Sequence, residues 1–291
     1  MITSVGIVAK PGLHAAANEL AGLARWLGDR GIRAIFDENT AKIAEVRENE
    51  HLSLDELARV VELVLVLGGD GTLLGMADRI AQADREIPIL GVNFGGLGFL
   101  TEITLPELYP SLEAALAGTA VIEERLMLRG RTERDGSLFA NRVVLNDVVI
   151  TRGALSRIVE FSVSVAGQFV AKFHADGLII ASPTGSTAYN LSAGGPIVHP
   201  AVDAVVLTPI APHILTNRPV VIPASAEIFV QPLFGDKNDK AFITFDGQVG
   251  FQLEADDLIR IKRAERPVRL IKASTRNYFQ VLRQKLRWTE R

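Results

Sequence analysis

VLVLGGDGTLLGMA, residues 64–77, climbs as an apolar run to Leu67, breaks on Gly68-Gly69-Asp70-Gly71-Thr72, and returns at once to helix-forming residues. A continuous apolar run of this kind reads as a strand buried on both faces, and the residues beyond the glycines predict a helix from Thr72 to Asp84. The neighbouring segments repeat the pattern. SVGIVAK near the start, IRAIF (32–36), ELVLVL (62–67) and IPILGV (87–92) are strand-like. PGLHAAANELAGLARWLGDRG (11–31) places Leu20, Leu23, Ala24 and Leu27 at helical spacing and stops at Gly31. LPELYPSLEAALAG (105–118) is a further helix closed by Gly118. Apolar strands alternating with helices predict a parallel, Rossmann-like sheet covered by helices on both faces, an α/β domain over residues 1–119.

Beyond residue 119 the texture changes. NRVVLNDVVITRG, RIVEFSVSVAG, QFVAKFHADGLIIAS, DAVVLTPIA, RPVVIP, AEIFVQPL, KAFITFDGQVG and DLIRIKRA are strand-like runs separated by Gly, Pro, Asp and Ser. Several alternate with period two, as Phe161, Val163 and Val165 do against Ser162 and Ser164. An all-β domain of layered antiparallel sheets, a β sandwich, is therefore expected over 120–272. TRNYFQVLRQKLRWTER returns to helical spacing through Phe279, Leu282 and Leu286, so 273–291 is expected to be a helical segment packing back on the first domain.

The bulk composition excludes several classes. A chain of 291 residues is long enough for roughly two domains. It contains no cysteine, which removes disulfides, thiolate nucleophiles and Cys-ligated zinc. Its net charge of −3 offers no overall attraction to nucleic acid. No run of about 18 apolar residues is present to span a membrane. The opening MITSVGIVAK lacks a basic region followed by an apolar one, so a cytoplasmic location is expected. From Arg260 onward eleven Lys and Arg face only Glu265 and Glu290, which reads either as a solvated surface or as charge that attracts phosphates.

The glycine–acid turn is where chemistry is expected. Glycines at a strand-to-helix junction permit positive φ and let a ligand approach the backbone, and the amides at the helix start form an anion site. Gly68, Gly69, Gly71 and Thr72 are thus candidates for a loop that holds the phosphate donor. An acid placed there makes sense if Asp70 faces a hydroxyl and accepts its proton as phosphoryl transfer proceeds, although a lone Asp-Gly pair is also a common turn. GVNFGGLGFLTE (91–102) is a second loop of this type, with Asn93, Gly95, Gly96 and Gly98 just beyond a strand. The G-x-x-x-x-G-K-[ST] and early G-x-G-x-x-G patterns are both missing, so neither a P-loop nor a hydride-transfer Rossmann site is supported.

DGLIIASPTGSTAYNLSAGGPIVHP, residues 176–200, gathers Ser182, Thr184, Ser186, Thr187, Ser192 and Gly185, Gly194 and Gly195 around one aromatic residue, Tyr189. Little bulk, many hydrogen-bonding groups and one flat ring suit a nucleoside pocket. No G-x-S-x-G elbow accompanies these serines. No histidine stands at metal-ligand spacing.

Through this block above all, the sequence resembles the ATP-dependent NAD kinases of bacterial type. The resemblance runs through LVLGGDGTLL, NFGGLGFLTE, LNDVVITRG, the 176–200 block and TPIAPHILTNRPVVIP in family order. It implies transfer of the terminal phosphate of ATP to the 2′-hydroxyl of the adenosine ribose of NAD, giving NADP. It also implies NAD bound between an α/β and a β-rich domain, Mg²⁺ brought by the ATP phosphates, and a homo-oligomer, dimer or tetramer. By the same resemblance Asp70 is the catalytic base and an NAD contact, with Gly71 beside it at the ribose. Asn146 and Asp147 match an Asn–acid pair that many relatives complete with Glu. Asp176 matches an acid on the nicotinamide half, and Thr187, Ala188, Tyr189, Asn190, Leu191 and Ser192 match the run that encloses the dinucleotide. Arg157, His174 and Gln248 fall at positions lining the site, His174 reading equally as a strand histidine facing solvent. A lipid or sugar kinase with the same glycine–acid turn, or a dinucleotide sensor without catalysis, are the rival readings; the former lack the 176–200 block, and the intact Asp70 speaks against the latter.

Overall fold

The computed structural model describes residues 2–46, 50–153, 159–214, 216–235, 239–272 and 276–288. Contacts divide the chain into two compact units, Met1–Glu124 with Val268–Arg291, and Arg125–Pro267. Among the described residues no helix is long and apolar enough to cross a membrane.

The first unit is built on strands β1 (Ser4–Ala9), β2 (Arg33–Asp37), β3 (His51–Leu52), β4 (Leu63–Gly68), β5 (Pro88–Asn93), β6 (Ile103–Thr104) and β7 (Ile122–Arg125). Its helices are α1 (Ala17–Gly28), α2 (Glu38–Ala44), α3 (Leu54–Val60), α4 (Asp70–Gln82) and α5 (Leu108–Leu116). The first strands pair in parallel in the order β3-β2-β1-β4-β5, so the chain winds out from β1 in both directions. Both β1 and β4 are buried along their whole length, which is what a sheet covered on both faces requires of its central strands. On one face Val5, Ile7, Leu63, Leu65, Leu67, Leu90 and Val92 meet Leu20, Leu23 and Leu27 of α1 and Leu108 and Leu112 of α5. On the other face glycines make room for the helices. A Cβ at Gly6 would lie 2.5 Å from a Leu57 methyl of α3, and one at Gly91 would lie 2.8 Å from Leu73 of α4.

The second unit holds β8 (Leu128–Arg134), β9 (Ser137–Val144), β10 (Asp147–Arg152), β11 (Val159–Val165), β12 (Gln168–Ala175) and β13 (Gly177–Ala181). It continues with α6 (Tyr189–Ser192), β14 (Ala204–Ile210), β15 (Val220–Pro223), β16 (Ile228–Leu233), β17 (Ala241–Phe245), β18 (Val249–Leu253) and β19 (Leu258–Arg263). They form two six-stranded antiparallel sheets, β12-β11-β16-β19-β8-β9 and β15-β14-β13-β10-β17-β18. Leu128, Phe161, Val163, Ile228, Val230, Ile259 and Ile261 of the first sheet close a core with Val148, Ile150, Leu178, Ile180, Leu207, Ile243 and Phe245 of the second. The alternation seen at Phe161 and Val163 is this inward face. The second sheet is buried on its other face as well, where Val149, Ile179, Ala181 and Val206 meet Val198 and Ala193 from the segment after β13.

Two runs that look continuous in sequence are broken in space. NRVVLNDVVITRG divides between β9 and β10 at Leu145-Asn146, and QFVAKFHADGLIIAS divides between β12 and β13 at Asp176. At each break the chain leaves one sheet and enters the other. A fully extended chain cannot change sheets without a bend, and those bends fall on polar residues.

The chain then returns to its start. Strand β20 (Val268–Ile271) adds in parallel to β5 and lies between β5 and β7 in the first sheet, and α7 (Tyr278–Leu286) follows with a capping box at Asn277 and Gln280. Residues 268–272, expected with the β-rich segment, are thus paired within the parallel sheet.

Candidate functional site

In the first unit the site is built at the carboxyl ends of β4 and β5, the usual ligand edge of a parallel sheet. Gly68 ends β4 with its α-carbon facing Thr72 and Lys10, where a Cβ would lie 2.9 Å from the Thr72 hydroxyl and 3.0 Å from Lys10 Cβ. Gly69 is the N-cap of α4 in extended backbone, and Asp70 is the first helical residue. The Asp70 side chain does not cap its own helix. It reaches to the loop after β5, where Oδ2 accepts the Phe99 amide at 2.9 Å. Oδ1 accepts the Leu100 amide at 3.1 Å, the Thr101 amide at 3.0 Å and the Thr101 hydroxyl at 2.9 Å. The two glycine-rich loops singled out in the sequence are therefore one structure, joined through this carboxylate.

Asn93 shapes the second loop from its root. Its Oδ1 accepts the Gly95 amide at 2.6 Å, and its Nδ2 donates to the Gly96 carbonyl and, at 3.3 Å, to the Thr101 hydroxyl. Gly98 is a case of enforced close approach: a Cβ there would collide with Asp70 Oδ1 and the Thr101 hydroxyl. The C-terminal segment braces the far side of the same loop. Lys272 Nζ lies 2.8 Å from the buried Glu102 carboxylate and 3.2 Å from Glu123, and Arg276 donates to the Glu102 carbonyl at 2.9 Å and to Glu107 at 3.0 Å.

The second unit repeats the device. Asp246, in the turn between β17 and β18, accepts the Leu145 amide on Oδ2 at 2.8 Å. Its Oδ1 takes the Asn146 and Asp147 amides at 2.8 and 2.9 Å. Asp147 is buried, and burial first, then the negative charge of Asp246, pushes its carboxyl up to about 7. The 182–187 segment packs on the same bend. Ser182 donates its amide to the Asn146 carbonyl at 2.8 Å, and the hydroxyl of Ser182 accepts the Gly185 amide at 3.1 Å. A Cβ at Gly185 would run into the Asn146 backbone.

Two models describe the sequence that carries this geometry. The model of the ATP-NAD kinase N-terminal domain matches residues 5–120, and that of the ATP-NAD kinase C-terminal domain matches residues 145–273. The chain belongs to the ATP-NAD kinase family. It is 49% identical over 269 residues to an NAD kinase of Geotalea daltonii, covering 92% of this chain and 93% of that one. It is 47% identical to an NAD kinase of Citrifermentans bemidjiense, covering 97% and 96%. In fold it is similar to yeast NADH kinase complexed with NADH, with a TM-score of 0.88, 24% identity and coverage of 100% of this chain and 89% of the other. It is similar also to an NAD kinase from Archaeoglobus fulgidus in complex with ATP, with a TM-score of 0.73, 24% identity and coverage of 97% and 99%.

The remaining family positions divide by what their side chains already do. Asn190 is fully buried: its Nδ2 donates to the Ser186 and Pro196 carbonyls at 3.0 and 3.1 Å, and its Oδ1 accepts the Thr208 hydroxyl at 2.6 Å. Its amide holds the segment onto β14. Tyr189 and Ser192 are exposed beside it, and Thr187, Ala188 and Leu191 are half-buried. The run thus alternates between a residue that anchors and residues that present surface. Asp176 takes Arg152 Nε at 2.7 Å. His174 lies on β12 with Nε2 3.4 Å from Glu160, which also pairs with Lys172. Gln248 is exposed in the β17–β18 turn. Arg157 lies outside the described residues. Asp147 and Arg152 stand at opposite ends of β10, and Asp176 lies at the Arg152 end.

Sequence reasoning passed over Asp246 and Thr101. Asp246 had a signal: TFDGQVG carries the same Asp-Gly pair as the first motif, between two alternating strands. Thr101 had none, since its partner is 31 residues earlier in the chain. Among the described residues, no group of three His, Asp or Glu side chains is placed to hold a metal ion.

Proposed function

We propose that this member of the ATP-NAD kinase family phosphorylates the 2′-hydroxyl of the adenosine ribose of NAD, with Asp70 as general base. The observation that carries the reading is the carboxylate of Asp70, fixed at the head of α4 between two glycine loops, with Oδ2 accepting a single hydrogen bond among the described residues. The ribose hydroxyl gives its proton to Asp70 as its oxygen bonds to the terminal phosphorus of ATP. The bond from that phosphorus to the leaving oxygen breaks, and ADP departs. A positioned base contributes about 10²–10⁴-fold to such a step.

The loop amides around Gly68, Gly69, Gly71 and Thr72, with the positive end of α4, suit the phosphates of the donor. Mg²⁺ fits as a companion of ATP, because it keeps phosphates and water as ligands and the described residues offer no group of three His, Asp or Glu side chains as a cage. The second unit supplies the NAD surface in this reading. Asn146 and Asp147 at one end of β10 and Asp176 at the other are separated by about 17 Å of extended strand, a span suited to an extended dinucleotide. Tyr189, beyond both in sequence, offers an exposed flat face, with Thr187, Ala188, Leu191 and Ser192 around it.

A homo-oligomer is supported by the edges of the sandwich. Phe169 and Val170 on edge strand β12, and Val220 and Val221 on edge strand β15, are exposed apolar residues that a second copy would cover. A cytoplasmic location accords with ATP and NAD as substrates. Purified protein incubated with NAD, Mg²⁺ and ATP is expected to form NADP, and Asp70→Asn is expected to abolish turnover while NAD still binds. Turnover retained in D70N removes the base. Running the assay with polyphosphate and with NADH defines the donor and the redox form, and light scattering defines the assembly.

A further inference from the structure

We infer that Thr101 is a positioning residue that decides which oxygen of Asp70 receives the substrate proton. The inference rests on the reading of Asp70 as the base. Each oxygen of a carboxylate has two lone-pair directions. Oδ1 already accepts three hydrogen bonds, two from the amides of Leu100 and Thr101 and one from the Thr101 hydroxyl. It is also covered by Gly98, whose α-carbon stands so close that a Cβ would overlap both Oδ1 and the Thr101 hydroxyl. No direction around Oδ1 is left for a ribose hydroxyl. Among the described residues Oδ2 accepts only the Phe99 amide, so one lone pair remains there. The proton of the 2′-hydroxyl therefore passes to Oδ2 as the ribose oxygen bonds to phosphorus and ADP leaves.

The direction of the Thr101 hydroxyl is compelled as well. Thr101 is fully buried, and its oxygen receives Asn93 Nδ2 at 3.3 Å. That nitrogen is a donor only, and its identity is fixed by its second bond to the Gly96 carbonyl and by the Gly95 amide on Asn93 Oδ1. The hydroxyl hydrogen must then point at Asp70 Oδ1 and cannot turn away to Asn93. Asn93, Thr101 and Asp70 form a one-way chain of donors ending on the oxygen that does not react. Without the hydroxyl, the carboxylate loses one of the four bonds that set its rotation about the Cβ–Cγ axis, the only one of them from a side chain among the described residues, and the aim of Oδ2 loosens.

The test compares Thr101→Val, which keeps the shape and removes the hydroxyl, with Thr101→Ser, which restores it. T101V is expected to bind NAD with unchanged KM and to lose about 10- to 100-fold in kcat, the cost of misplacing a reacting group by a fraction of an ångström to an ångström. T101S is expected to recover most of the loss. A T101V enzyme with the parent kcat, a loss carried wholly by KM, or a T101S enzyme no better than T101V overturns the assignment. If T101V does not fold, Thr101→Ala against T101S makes the same comparison. D70N separates the two levels: turnover in D70N removes the base itself, whereas a dead D70N beside a fully active T101V removes only the role of Thr101.

Discussion

Asp246 both orders and opposes Asp147. It holds the main-chain amide of Asp147 at 2.9 Å while its charge, added to burial, lifts the Asp147 carboxyl to about 7. The folded protein therefore keeps a proton on Asp147 at pH values where the unfolded chain, titrating near the ordinary aspartate value, has released it. Stability contributed by this group is full below about pH 4 and is lost as pH rises toward 7, on the order of 4 kcal/mol across the window. Asp147→Asn removes the titration. Urea midpoints measured from pH 5 to pH 8 should fall less steeply in D147N than in the parent, and parallel slopes would contradict the assignment.

Gly98 is expected to tolerate no side chain. Gly98→Ala forces the loop away from Asp70, so kcat should drop by about 10²-fold with a loss of roughly 1–3 kcal/mol in stability. Gly96, two residues earlier, has open space at its missing Cβ. Gly96→Ala is the matched control, and its thermal midpoint should stay with that of the parent.

Thr208→Val tests the anchor beneath the 182–192 segment. It leaves the buried Oδ1 of Asn190 without its 2.6 Å donor. An unsatisfied buried acceptor costs about 1–3 kcal/mol. Chemical denaturation should register the loss, and hydrogen exchange should quicken in residues 186–198 before it does in the β sheets.

Lys272→Met tests the brace from the C-terminal segment. It breaks the pair with Glu102, whose side chain is 3% exposed while that of Lys272 is 15% exposed. The cost belongs between the ~1 kcal/mol ceiling of exposed pairs and the ~3–5 kcal/mol of fully buried ones, about 2 kcal/mol. A denaturation midpoint unchanged from the parent would show that the pair holds nothing.

The parallel sheet was readable because its strands are buried on both faces and write themselves as unbroken apolar runs, as at Leu63–Leu67. The glycine turn was readable because three glycines and an acid at a strand end leave few structural alternatives. What stayed hidden was long-range and polar. Nothing in LNDVV announces that its amides end on Asp246, about a hundred residues later, and nothing in GFLTE announces Asp70. The breaks at Asn146 and Asp176 were hidden for a different reason: strands that change sheets keep the same alternation on both sides of the bend. The same limit applies to RPVRLI, whose short β pattern does not say which sheet receives it.

The slot that β20 fills has a consequence for synthesis. A ribosome releases β1 to β7 first, then the entire sandwich, and only afterwards the four residues that occupy the gap beside β5. Until then the nascent parallel sheet keeps an open edge, a template for pairing with other chains. The glycine-rich loops after β4 and β5 are thus completed last although they are translated early, and a chain stalled before residue 268 should be a client for chaperones.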